Sequence, residues 1–473
     1  MTELRKALKD LGKASATADE IASIAVLPFA NLSADKENEY FSDGLAEEIL
    51  IALSRVEGLR VTARSSSFSF KGKSIEMSEI ASRLHVANIL DGSVRRSGNR
   101  IRVTVQLVDA RNGFQRWSER YDRQMEDIFE VQDEIARAIA DQLKVTLGIG
   151  VTQATKNLEA YELYLKGRHL ANQRMPGTVR QAIQSYEQAI QLDPEFALAY
   201  CGLADCYGIL RVYGWISAEE GGPPAFTAMS KAVSIAPNLW EVIFSRGFYT
   251  FYFGRSWREA GPDFQKAVSR NPHSSLANGY MSVFSAMAGR ADEAREHARQ
   301  ACRLDPVSQY IHGLTSCSFH LLGLYDEAEK YARKSLELQS NYLFGLWMLG
   351  LILSSLNRHQ EAVETLEQVV AISRAPIFIG LMGCAYELAG RPEDATRLMD
   401  ELEERRSRGE YVSAMCFMNI HAGRGDIPAF RRSLSEAIAE SCPAFTMRLT
   451  SFSMDSFRTD PEINRMLFEL LGY

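Results

Sequence analysis

Ala288-Gly289-Arg290-Ala291, then Ala294, Ala298 and Ala301, then Asp305-Pro306, reads as a turn, a helix with one small-residue face, and a stop. The same phrase recurs along the chain. Proline-ended signals fall at Asp193-Pro194, Ala236-Pro237, Asn271-Pro272 and Asp305-Pro306, spaced 43, 35 and 34 residues apart. The long first interval is one period of 34 plus an insertion of nine, and two further steps of 34 reach Ser340 and Arg374. A fixed period of this length is the signature of a stacked repeat.

Working outward from that phrase, alanine opens the second helix of each unit at Ala182, Ala225, Ala260, Ala294, Ala328, Ala362 and Ala395. Four residues on stand Tyr186, Met229, Phe264, Ala298, Ala332, Leu366 and Met399, and three further again small or apolar residues, so one helical face is apolar throughout. Glycines such as Gly167, Gly202, Gly247 and Gly350 mark close helix approach in the first helix. Helix pairs this short are marginal alone, and stacking hides their wet stripe against the next pair. The pattern resembles the tetratricopeptide repeat. It implies about eight units over residues 158–442, the last (Tyr411 to Cys442) degenerate, and a cap over 443–473 built on Phe457-Arg458-Thr459-Asp460-Pro461 and a helix to Leu471. The insertion, Tyr213 to Pro224, is expected to be an irregular excursion.

In repeats of this type the first helices line a concave groove. The resemblance places Tyr161, Tyr164 and Arg168; Phe244, Phe248 and Phe251; Tyr310 and His320; and Phe344 and Trp347 there, as candidates to grip a protein or peptide partner. Burying one such ring of ~150 Å² at ~25 cal/mol/Å² is worth at most ~4 kcal/mol, against ~0–1 kcal/mol for an exposed ion pair. The alternative is that these rings pack between neighbouring helices.

Ahead of the repeats, Ser23 to Phe29 is a short apolar run halted by Pro28, hence a buried strand. Ser42 or Asp43 is expected to cap a helix carrying Leu45, Ile49, Leu53 and Val56. Leu59 to Phe70 is expected as a strand, Ser78 to Leu84 as a helix, and Ala87 to Val94 as a strand. Turns at Gly98-Asn99 and Asn112-Gly113 join strands around Ile101–Leu107 and Phe114–Tyr121, and a helix from Met125 to Leu147 follows. The order βαβαβββα gives an α/β sandwich over 23–150, behind a tail at 1–22. The fold class is therefore an α/β N-terminal domain followed by an all-α tetratricopeptide-repeat solenoid. Ala25-Val26-Leu27-Pro28-Phe29, Tyr40-Phe41-Ser42-Asp43-Gly44-Leu45-Ala46-Glu47-Glu48-Ile49 and Ile89-Leu90-Asp91-Gly92-Ser93-Val94-Arg95 resemble the TolB amino-terminal type of domain that precedes such repeats in many bacterial proteins. In that family the pair often sits behind an adenylate cyclase, a kinase or a winged-helix domain. The resemblance implies the accessory half of such a regulator and carries over no catalytic residues.

The 473 residues are 46% hydrophobic and 24% charged, ordinary for globular protein. Net charge is −7. Residues 1–157 hold 22 Lys+Arg against 23 Asp+Glu (−1), and the rest 31 against 37 (−6), so neither part advertises nucleic acid. Seven cysteines, all beyond position 200 and without a CxxC pair, suggest reduced, buried thiols in a cytoplasmic protein. No signal-peptide core and no run of 18 apolar residues is present.

Sites of chemistry are sparse. Gly72-Lys73-Ser74 lacks the glycine five residues earlier, where Ser67 stands, that a phosphate loop requires. His312, Cys317 and His320 spread too far along one helix to hold one metal. The arginines from Arg95 to Arg123 interleave with Asp109, Glu119 and Asp122, and are expected to be a solvated, partly ion-paired face. Asn31, Ser42, Asp43 and Arg64 could meet at the strand ends, where α/β sheets bind ligands. The expected function is a non-catalytic scaffold or adaptor with no cofactor. The alternatives are the regulatory portion of an adenylate-cyclase-like signalling protein, or small-ligand sensing by the α/β domain.

Overall fold

The structure is a computed structural model describing residues 22–33, 38–54, 56, 58–110, 112–143, 145, 155–254, 257–442, 457 and 460–471. Contacts divide the chain into two compact units, Met1–Val151 and Thr152–Tyr473. Residues 1–21 of the expected N-terminal tail, and 443–456, 458–459 and 472–473 of the expected cap, lie outside the described residues.

In the first unit β1 (Ala22–Val26), β3 (Leu59–Val61) and β4 (Asn88–Ser97) run parallel, and β5 (Arg100–Asp109) and β6 (Gln115–Gln124) continue antiparallel, in the order β3-β1-β4-β5-β6. A two-residue β2 (Ala30–Asn31) pairs beside β4. The parallel strands need crossovers. These are supplied by α1 (Glu39–Ser54) and by α2 (Arg64–Phe68) with α3 (Met77–Leu84). Ile101, Val103, Val105 and Leu107 of β5 are buried, as are Leu45, Ile49 and Leu53 of α1 and Val131, Ile135 and Ile139 of α4 (Ile128–Leu143). The alternating strand and the two amphipathic helices thus make one core.

Two expectations are corrected. The strand expected over 59–70 stops at Val61, and 64–68 turn helical. Its partner β1 pairs with it only from Ala22 to Ile24, and continuing would carry it past Pro28, which has no N–H for a ladder. Nor do Ser42 and Asp43 cap α1, which begins at Glu39. Ser42 Oγ instead donates to the Asn38 carbonyl (3.4 Å), and Asp43 is held by a lysine.

The second unit is a run of antiparallel helix pairs: α5 (Leu158–Ala171) with α6 (Pro176–Leu192), α7 (Ala197–Val212) with α8 (Ala218–Ile235), α9 (Trp240–Phe253) with α10 (Gly261–Arg270), α11 (Ser275–Met287) with α12 (Ala291–Leu304), α13 (Gln309–Leu321) with α14 (Tyr325–Leu338), α15 (Leu343–Ser355) with α16 (His359–Ile372), α17 (Pro376–Leu388) with α18 (Pro392–Ser407), and α19 (Ala414–Arg424) with α20 (Ile427–Ala439). A further helix, α21 (Pro461–Leu471), follows. First helices touch both their own partner and the next first helix, as α11 does α12 and α13. The seven alanines that open the second helices are all at most 1% exposed, so the face they mark is the buried one. The glycines fit the same geometry: a Cβ on Gly202 would sit 2.4 Å from the Tyr186 ring, and one on Gly350 2.7 Å from Leu366.

The insertion is not an irregular excursion. Ser217 Oγ accepts from Glu220 N (3.0 Å), Glu219 and Glu220 favour the helix start, and α8 runs through Pro223 and Pro224. The prolines deprive the Glu219 and Glu220 carbonyls of helical donors, but both residues are exposed to water. The remaining turn, Tyr213 to Ile216, reaches far along the array. Arg211, 4% exposed, donates from Nε to the Tyr252 carbonyl (3.1 Å) and from Nη2 to the Ser441 carbonyl. Tyr213 packs against Phe378 (ring centroids 6.3 Å apart), and Gly214 faces Ile377. The second helix pair therefore touches the seventh and the end of the eighth.

Candidate partner-binding face of the helical repeats

The residues expected to line the groove fall into two sets. Tyr161, Tyr164, Phe244, Phe248, Phe251, His320, Phe344 and Trp347 are 1–7% exposed, so they build the stack rather than offer surface. Tyr164 packs on Phe196 (5.0 Å) and Tyr186 (6.0 Å), and Phe244 and Phe251 each lie 5.9 Å from Phe264. Where a first helix carries glycine, a ring from a neighbouring helix fills the gap, as Phe248 does at Gly208 and Phe344 at Gly313. Only Arg168 and Tyr310 remain half-buried.

What the expected residues do form is a row of rings along the first helices. Phe248 lies 5.4 Å from Tyr280, whose hydroxyl hydrogen-bonds that of Tyr310 (2.8 Å). Tyr310 is 5.8 Å from Phe344, Phe344 is 5.9 Å from Trp347, and Trp347 is 5.5 Å from Phe378. Edge-to-face contacts of this kind add about 0.5–1.5 kcal/mol per pair beyond burial.

That row is covered by residues of the chain itself, which the sequence reading did not foresee. Tyr213, 3% exposed, sits 6.1 Å from Trp347 and stacks on Trp215 (4.8 Å). The Arg174 guanidinium lies 3.9 Å from the Tyr310 ring centroid and hydrogen-bonds the Tyr213 hydroxyl. Burial opposes its charge, but Tyr310, Tyr213, Tyr342 and Tyr280 around it more than compensate, and the group is held protonated. Burial pushes the Tyr213 hydroxyl up to about 12. Around Arg174, Tyr213, Tyr280, Tyr310 and Phe344 a cavity of only about 20 Å³ remains, room for one water.

A signal for Arg174 was present. The residue two before the second helix is Gly289, Gly323, Asn357, Gly390 or Gly425 in five other pairs, all with φ between +58° and +74°. Glycine and asparagine accept that left-handed backbone readily. Arg174 holds the same place at φ +51°.

One further polar group lies near the cage. Asp205 on α7 accepts from Ser245 Oγ through Oδ2 (3.0 Å), while Oδ1 meets no donor among the described residues. Burial raises its carboxyl to about 7, against the smaller opposing pull of the Ser245 hydrogen bond and of Arg174.

In the first unit Asp43 and Arg64 come to one face of α1, already engaged. Lys71 Nζ donates to both oxygens of Asp43 (2.8 and 2.7 Å) and pairs with Glu39, and Arg64 Nε donates to Glu47 (2.6 Å), one turn along from Asp43. Asn31 Oδ1 accepts from Ser33 N (2.9 Å), a local turn on β2. Ser42 is fully buried. Gly72, at φ +71°, follows a short helix rather than a strand. On the hairpin Arg102 pairs with Asp122 (2.7 Å) on the outer face, Arg123 with Glu134 of α4 (3.4 Å) and Arg116 with the buried Asp109, so these arginines are ion-paired.

Six of the seven thiols are buried and Cys302 is half-buried, and none is in a disulfide. His312 Nε2 bonds the Pro306 carbonyl (2.9 Å), and no group of three metal-ligating side chains gathers among the described residues.

Residues 177–208, 248–308, 315–342 and 345–376 match tetratricopeptide-repeat families. The second unit carries tetratricopeptide repeats. Residues 20–138, ahead of those repeats, match the HilA/YgeH-like transcriptional regulator family, second domain. A Rhizobium meliloti (strain 1021) protein named "Putative adenylate cyclase 3" is 37% identical over 242 residues, which is 50% of this chain and 40% of that protein. The transcriptional regulator HilA of Salmonella typhimurium is 24% identical over 150 residues, 32% of this chain and 27% of the regulator. The chain thus spans less than half the length of these relatives. Among solved structures, the type IV pilus biogenesis factor PilW is 22% identical and covers 46% of this chain and 94% of its own, with a TM-score of 0.35.

Proposed function

We propose that the chain is a non-catalytic protein-interaction scaffold whose tetratricopeptide repeats receive a partner segment on the ring row around Tyr310. The observation that carries this reading is a half-buried tyrosine on an otherwise buried aromatic row, with a turn arginine, Arg174, laid over its ring. Solenoid repeats bind on such inner surfaces, and a repeat part at −6 suits a protein partner better than nucleic acid. The proposal includes the division into 23–150, 158–442 and 443–473, a TolB-like character for the first unit supported by its motifs at Ala25–Phe29 and Tyr40–Ile49, and a cytoplasmic location. Among the described residues no helix is long and apolar enough to cross a membrane.

The test is selection of a displayed random-peptide library on the full chain, repeated on Tyr310→Ala. A consensus enriched on the first and lost on the second supports the reading. No enrichment on either, with both chains folded, removes it. A second reading, the regulatory portion of an adenylate-cyclase-like signalling protein, is supported by the 37% identity to the Rhizobium meliloti protein. Cyclic AMP made from ATP by the purified chain would overturn the non-catalytic reading.

A further inference from the structure

We propose that the tyrosine cage inside the repeats is an arginine-recognition site, occupied in the free chain by Arg174 and taken over by an arginine side chain of a partner segment. The inference rests on the scaffold reading above and names the chemistry of the partner.

Three observations lead to it. The cage is built for a flat cation: the Arg174 guanidinium lies over the Tyr310 face at 3.9 Å and against the Tyr213 hydroxyl, with Tyr280 and Tyr342 beside it. A planar guanidinium stacks and bonds there in a way a compact ammonium does not. The second observation concerns the occupant. It comes from the one turn among six that uses a long side chain where the others have glycine or asparagine, at φ +51°. A left-handed backbone disfavours such a residue, so an arginine at this place stands out as a side chain kept for its contacts in the cage.

Third, the exit is open. Asn172, Gln173 and Met175 are exposed, so the turn can move outward without uncovering the core beneath α5 and α6. The remaining 20 Å³ leaves no room for a second group while Arg174 is in place, so binding there is exchange. Arg174 also acts on Asp205, whose Oδ1 has no donor among the described residues. A partner arginine entering the same space brings five N–H donors to that side. The −6 charge of the repeat part draws a basic segment toward it.

The test uses the full chain and three unlabelled octapeptides of glycine and alanine with one central arginine, lysine or glutamine, titrated by calorimetry. Removing the resident competitor raises the fraction of binding-competent cages. Arg174→Met is therefore expected to bind the arginine peptide about tenfold tighter than the natural chain. The lysine peptide should bind more weakly and the glutamine peptide not at all, and Arg174→Met/Tyr310→Ala should lose the gain. Arg174→Gly, which also relieves the backbone, must give the same order, and it serves if the methionine variant does not fold. Equal binding of the three peptides, or no gain in either Arg174 variant, overturns the inference. A library consensus that depends on Tyr310 but lacks arginine would leave the scaffold standing and remove only this site.

Discussion

Replacing Arg211 with methionine should loosen the whole repeat array, because that one guanidinium ties the second helix pair to the third and to the end of the eighth. Its Nε donates to the Tyr252 carbonyl at 3.1 Å, its Nη2 donates to the Ser441 carbonyl 230 residues away, and it stands 5.3 Å over the Phe253 ring. Hydrogen bonds from a charged donor contribute about 1.5–3 kcal/mol each, and losing them leaves the carbonyl of the buried Tyr252 unserved. Against this, burial lowers the Arg211 pKa, a sign that desolvation of the charge offsets part of the gain. Methionine keeps much of the stem volume, so packing loss is small. The net expectation is a loss of about 2–4 kcal/mol. Urea unfolding followed by circular dichroism measures it, and small-angle scattering should show a larger radius of gyration as the second pair parts from the eighth. A midpoint within about 0.5 kcal/mol of the natural chain, with unchanged scattering, would refute the idea that this tether closes the array.

Asp205→Asn should stabilise the chain increasingly as pH rises. The folded carboxyl is raised from 3.8 to about 7, so the fold prefers the proton and the natural chain loses stability between those values, by at most about 4 kcal/mol, which melts at pH 4, 6 and 8 would follow. Gly380→Ala puts a Cβ 2.6 Å from the Cys416 backbone where α17 meets α19, and should cost about 1–3 kcal/mol in denaturant unfolding, with no relief from side-chain rotation. Lys71→Met strips Asp43, 3% exposed, of its cation and should destabilise the first unit by about 1–3 kcal/mol, while Lys71→Met/Asp43→Asn recovers most of that loss in the same assay.

The period of 34 made the repeats legible because every unit writes its buried face with the same alanine and, in most, an apolar or aromatic residue four places on. Strands were legible where alternation was long, as from Ile101 to Leu107. They failed at 62–70, because the length of a strand is set by its neighbour, and Pro28 ends the neighbour early. The groove was read one layer too deep: Phe244, Phe248 and Trp347 occupy the helical positions expected, yet at 1–6% exposure they serve the next helix. Periodicity tells which face a residue is on and not how closely the following pair covers it. Arg174 and Tyr213 were missed for a related reason. Each sits in a turn, and their contacts, from Arg174 to Tyr310 and from Tyr213 to Trp347 and Phe378, span well over a hundred residues and leave no local trace. Only the odd arginine at a glycine position marked the place.

β6 ends the sheet of the first unit, and of its ten residues Tyr121 alone turns fully inward. Arg116, Glu119, Arg120, Asp122 and Arg123 line the rest. A strand margin so crowded with charge repels a neighbour's backbone, so copies of this chain should stay dispersed at high concentration instead of zipping sheet to sheet. Swapping those charges for threonine would turn a soluble border into a seed for fibres.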